Sequence, residues 1–124
     1  MKVYGFKEYE QGIMEIENSL EAEQAFVGGL IDVYPLTDDL DLVFNDNGLI
    51  DGLEARVLVL GEGEEDDGEV GKRDIRTIIP GDCFVCRFGE EGNFVSIKDE
   101  DVKVIKHYAK KVLEIKNGII VVER

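Results

Sequence analysis

Residues 112–123 read Val112-Leu113-Glu114-Ile115-Lys116-Asn117-Gly118-Ile119-Ile120-Val121-Val122-Glu123, and their reading decides the fold class. Two structures compete for them. A helix begun near Lys98 could run on to Ile115, or the two apolar runs could pair across Asn117-Gly118. The hairpin is preferred, because Asn-Gly supplies the two positive-φ positions of a tight turn and β-branched residues flank it. A chain that ends in a hairpin after one short helix is α+β rather than helical.

Working back from the hairpin, Lys98–Lys110 is predicted to be a helix. Ser96-Ile97-Lys98-Asp99 fits a capping box, three acids follow at 99–101, and lysines gather at the other end. Val102, Ile105 and Ala109 form its apolar stripe. Cys83–Phe88 and Phe94–Ile97 are expected to pair around a turn at 89–93. Residues 75–79 form an extended piece stopped by Pro80-Gly81-Asp82. Ala55–Leu60 is apolar on both faces, as a central strand is. Strands are also expected over 2–6, 12–17, 30–36 and 40–44, with Pro35 marking an edge and Asn45-Asp46-Asn47-Gly48 a tight turn between strands. A second helix over 18–27 would be capped by Ser19 and stopped by Gly28-Gly29. The expected fold is therefore a mostly antiparallel sheet with two short helices and a C-terminal hairpin at 112–123. At 124 residues the chain fits one domain.

Charge narrows the function. The chain holds 28 acidic and 14 basic residues, a formal charge of −14. Residues 1–71 contribute nineteen acids and three bases; residues 72–124 contribute nine acids and eleven bases. Residues 61–71, with six carboxylates and four glycines, read as a flexible acidic loop, and Asp38, Asp39 and Asp41 form a second cluster. Such a chain is repelled by nucleic-acid backbones and anionic membranes, so neither is an expected direct partner. Acidic loops also serve solubility, but scattered charge would serve it equally well. The asymmetry instead favours a surface that imitates a nucleic-acid backbone, with Asp38, Asp39, Asp41, Glu64, Glu65, Asp66 and Asp67 as the partner-binding residues.

Constellations for chemistry are sparse. Cys83 and Cys86 are too few, with His107 the lone histidine, to complete a four-ligand zinc site. On a strand they point to opposite faces. Two reduced thiols and no secretory h-region suit a cytoplasmic protein. Gly48 at the sixth position of a calcium loop would put Val43 first, so the spacing fails. No metal, cofactor or nucleophilic triad is expected, and carboxylate-pair hydrolysis stays open in so acidic a chain. A small anionic ligand could sit among Asn45, Arg56, Arg76 and Asn93, flanked by Arg87, Lys106, Lys110 and Lys111.

The stretch Gly28-Gly29-Leu30-Ile31-Asp32-Val33, the segment Leu42-Val43-Phe44-Asn45-Asp46-Asn47-Gly48, and Gly52-Leu53 up to Arg56 carry a resemblance. With Pro80-Gly81-Asp82-Cys83-Phe84-Val85 and Ser96–Asp101, they resemble a family of small proteins from phages, plasmids and integrated elements of Firmicutes. The resemblance covers roughly residues 1–107, leaving the acidic loop and the hairpin as departures or extensions. It brings no catalytic residues. It implies a non-catalytic counter-defence protein of the anti-CRISPR or anti-restriction type, acting on a host defence protein in the bacterial cytoplasm. The alternative is an oligomeric sponge that sequesters an anionic nucleotide signal, with the hairpin as the subunit contact of a homodimer or higher oligomer.

Overall fold

A computed structural model describes residues 1–62 and 74–123. Its first strand, β1 (Lys2–Phe6), pairs antiparallel with β2 (Gln11–Glu15). Helix α1 (Leu20–Val27) follows, with Ser19 Oγ accepting from the Ala22 N–H and Gly28 closing it at φ 80°. These are the cap and the stop that its sequence announced. Next come β3 (Ile31–Pro35) and β4 (Leu40–Asn45), an antiparallel pair. Later strands are β5 (Ala55–Leu60), β6 (Ile75–Pro80), β7 (Cys83–Phe88) and β8 (Phe94–Val95). Helix α2 (Asp101–Tyr108) passes directly into β9 (Ala109–Lys116), and β10 (Ile119–Val122) returns along it.

Among the described residues there are thus two helices and ten strands, all strand pairs antiparallel: an α+β fold. One sheet runs β2-β1-β7-β4-β3, with β8 paired to β7, and the other runs β10-β9-β5-β6. Pro35 lies on an edge strand and β5 is internal, as expected. The hairpin forms with Asn117 at φ 53° and Gly118 at φ 78°, the double positive φ of a type I′ turn.

The period of two sorts side chains between layers. Tyr4, Phe6, Leu40, Leu42, Cys83 and Val85 of the first sheet meet Val57, Val59, Ile79 and Ala109 of the second, with Ile105 of α2 beside them. Val3, Val43, Phe84 and Cys86 face the other way and pack with Val27 and Phe26 of α1. Fully burying a side chain such as Phe84 stabilises the fold by about 1.5–3 kcal/mol. Leu58, Leu60 and Val112 form a third cluster with Ile78, Ile120 and Val122 on the far face of the second sheet.

Two local expectations are corrected. Asn45-Asp46-Asn47-Gly48 does not join neighbouring strands, because β4 and β5 belong to different sheets. Gly48 has no positive φ; instead a Cβ there would lie 2.6 Å from Pro80 Cγ, so its glycine serves a close approach. The expected capping box at 96–99 does not form either. Ser96 Oγ accepts from the Lys2 N–H, Asp99 pairs with Lys2 Nζ at 2.6 Å, and the helix starts at Asp101.

Candidate functional site

Thr37 shapes the β3–β4 turn. Its Oγ1 accepts from the N–H groups of Asp39 (3.2 Å) and Leu40 (3.1 Å), which leaves the Asp38 and Asp39 side chains in solvent. The Phe88 N–H donates to the Asp39 carbonyl, tying this turn to the end of β7, beyond which Glu90 and Glu91 stand exposed. Across the sheets, the Arg76 guanidinium lies 5.5 Å from the Tyr34 ring. That contact brings the start of β6 to the same end of the molecule. Beside it the Gly61 N–H donates to the Asp74 carbonyl, and exposed Glu62 accepts from the Tyr108 hydroxyl at 2.8 Å. Asp38, Asp39, Glu62, Asp74, Glu90 and Glu91 therefore converge from three connections on one end.

One positive charge near this end is engaged by a carboxylate, while Arg76 lies against the Tyr34 ring. Arg87 donates Nε and Nη2 to the two Asp101 oxygens at 2.6 and 2.7 Å, and the Lys98 N–H adds a third bond at 2.7 Å. Burial opposes the Asp101 charge, but the hydrogen bonds from Arg87 and Lys98 outweigh it and hold the carboxyl below the usual range. The Asp101 bonds likewise raise the affinity of Arg87 for its proton.

The sequence-stated partner residues distribute unevenly. Asp38 and Asp39 are on the acidic end. Asp41 is half-buried within β4, opposite Cys86 and Pro35, and burial raises its pKa. Glu64, Glu65, Asp66 and Asp67 lie outside the described residues, in the segment rooted at Glu62 and Asp74; residues 63–71 of the expected acidic loop lie outside them too. Asp74, Glu90 and Glu91 belong to neither expected acidic cluster, and Glu62 enters only as the first carboxylate of the 61–71 loop.

The four residues expected around an anion are not brought together. Arg56 and Arg76 occupy opposite ends of the β5–β6 ladder, on the order of 13 Å apart along the strands. Arg56 is nearly buried and gives Nε to Asp82 at 3.2 Å, between two clefts of about 460 and 480 Å³ that Glu8 and Glu54 also line. Carboxylates on those walls oppose an anionic guest. Asn45 is buried and structural: its Nδ2 donates to the Val27 carbonyl and its Oδ1 accepts from the Asn47 N–H. Asn93 is exposed in the β7–β8 turn.

Cys83 and Cys86 are both buried and free, and they face different clusters, as the strand period requires. Burial pushes the Cys83 thiol far up and the Cys86 thiol up to about 12, so neither is an accessible thiolate. His107 stacks edge-on to Tyr108 at 4.8 Å. Among the described residues no group of three or more His, Cys, Asp or Glu is arranged to hold a metal ion, and no helix is long and apolar enough to cross a membrane.

The chain belongs to the family defined by the domain of unknown function DUF3846, which matches residues 1–113. The match takes in both helices and the first eight strands, stops inside β9, and leaves the hairpin turn and β10 beyond it. No curated protein and no solved structure matches the chain.

Proposed function

We propose that this protein is a non-catalytic binding protein whose acidic end occupies a basic, nucleic-acid-binding groove on a partner. The observation that carries this reading is the convergence of Asp38, Asp39, Glu62, Asp74, Glu90 and Glu91 from three separate connections onto one end. Carboxylates spread over neighbouring turns can meet several Lys and Arg side chains at once, through charge-assisted hydrogen bonds and steered association. The −14 net charge adds long-range attraction to a basic surface and repulsion from nucleic acid itself.

The partner we propose is a host defence complex, and the setting a phage or other mobile element of Firmicutes. This rests on the resemblance described above and on the match between an acidic ligand and a nuclease groove. Inhibition of the anti-CRISPR or anti-restriction type would then be competitive with nucleic acid. Reversing charge at Asp38, Asp39, Glu90 and Glu91 to Lys tests it. Inhibition of the target should be lost while the far-UV circular dichroism and melting point stay near those of the parent, since all four side chains are exposed. Inhibition that survives the reversal would assign binding to another surface.

A further inference from the structure

Away from the acidic end, the open seam between β1–β2 and the α2–β9 junction holds a pocket of about 180 Å³, lined by Tyr4, Gln11, Lys106, Ala109, Lys111 and Glu123. Lys110 lines it too, and the ladder sets Lys110 opposite Leu58, whereas Ala109 and Lys111 stand opposite Val59 and Val57. Ala109 and Lys111 therefore share the inner face of the second sheet, on the side of Tyr4.

Gln11 is the unusual member. Its Nε2 donates to the Tyr4 hydroxyl at 3.0 Å, while its Oε1 is buried without a hydrogen-bond partner. A buried amide end left unpaired costs about 1–3 kcal/mol. Because a tyrosine hydroxyl both donates and accepts, the amide turned by 180° is satisfied equally well at Tyr4. In that orientation Oε1 accepts from Tyr4 and the NH2 group is left as a buried, unpaired donor of a residue that lines the pocket. Lys106 and Lys111 border the same space, and among the described residues neither makes an ion pair. Glu123 is the one carboxylate on the rim against these two ammonium groups.

We propose that this pocket is an oxyanion subsite that takes the phosphoryl group of a small ligand. The donors are the amide NH2 of Gln11 and the ammonium groups of Lys106 and Lys111. They suit a tetrahedral group that presents oxygens in several directions, and lysine binds phosphate as a point charge. Its volume readily admits a phosphoryl group, and the remainder of a phosphate ester would extend from its open side into solvent. The site uses none of the residues of the acidic end, and its test is independent of the proposed partner.

Titration of the ¹⁵N-labelled protein with inorganic phosphate, and separately with a nucleoside monophosphate, tests it through the Gln11 side-chain NH2 resonances. The expected result is a saturable shift of those resonances, with a dissociation constant on the order of millimolar for the free anion. Joint Lys106→Ala and Lys111→Ala substitution should weaken it about tenfold or more. Gln11→Leu, followed through the backbone amide resonances of Ala109 to Lys111, should weaken binding while raising the melting point or leaving it unchanged, since it removes the orphaned polar atom. Saturation with both probes assigns the site to the phosphoryl group alone; saturation with the monophosphate only, abolished by the lysine pair, assigns it to a phosphate ester. No saturable shift with either probe, or unchanged affinity in the double lysine variant, overturns the proposal.

Discussion

Glu23 sits in the first turn of α1, where the helix dipole favours a carboxylate, yet its side chain is buried and burial raises its pKa. A carboxyl whose folded pKa lies above its unfolded value, near 4.3, stabilises the fold fully only below that value. The contribution is lost as pH rises through the folded pKa, so at pH 7 the ionised group works against folding. Glu23→Gln should therefore raise the melting temperature at pH 7, and the gain should vanish in thermal melts near pH 4. Asp101 has the opposite sign: its lowered pKa contributes stability above about pH 4 that is lost as pH falls through the folded value. Arg87→Ala leaves that buried carboxylate without its bidentate partner and should cost about 2–4 kcal/mol in urea unfolding at pH 7, with a smaller loss near pH 3. At this scale the sequence was most legible where partners are local. Ser19 and Gly28 bond within a few residues. Asn45 was expected beside an anionic ligand; its bond to the Val27 carbonyl, 18 residues away, has no local signal in the sequence.

The C-terminal hairpin was legible for the same reason, since its turn residues and both strands fall within a dozen positions. Its two faces differ in role. Ile120 and Val122 pack on the cluster of Leu58, Leu60 and Val112, while Ile119 and Val121 are exposed. Ile120→Lys should cost about 1–3 kcal/mol, and Ile119→Lys should stay within about 0.5 kcal/mol, both read from equilibrium denaturation. Equal losses would mean that the outer face is also packed. Helix α2 was less legible than the hairpin. Its expected cap, Ser96, bonds instead to the Lys2 backbone, 94 residues away, and no local pattern carries that information. The expected continuation through Lys110 fails because Ala109 to Lys111 pair with Val59 to Val57 of β5.

Across the whole molecule, the positions of most strands could be read from alternation and punctuation, but their distribution between two sheets could not. The decisive step is the β4–β5 connection, which leaves one sheet for the other and so separates Asn45 from both clefts, while Arg56 and Arg76 stand apart at opposite ends of the β5–β6 ladder. The same strand order draws the β3–β4 and β7–β8 turns and the stems of the 62–74 segment to one end. Asp38 and Asp39 were legible as a charged cluster; their meeting with Glu62, Asp74, Glu90 and Glu91 depends on that order alone. Three of the six, Asp74, Glu90 and Glu91, come from the net-basic residues 72–124, so the folding together of the turns, and not the order of charge along the chain, makes this end acidic. The most direct measurement is to co-purify a partner with this protein from host cells and determine its affinity between 50 and 300 mM salt, with nucleic acid as competitor. These concentrations bracket a Debye length of about 8 Å at physiological ionic strength. Affinity that falls steeply with salt, is abolished by Asp38→Lys with Asp39→Lys, and excludes nucleic acid is the expected result. Affinity indifferent to salt, or a complex that binds nucleic acid undiminished, would contradict the acidic end as the agent.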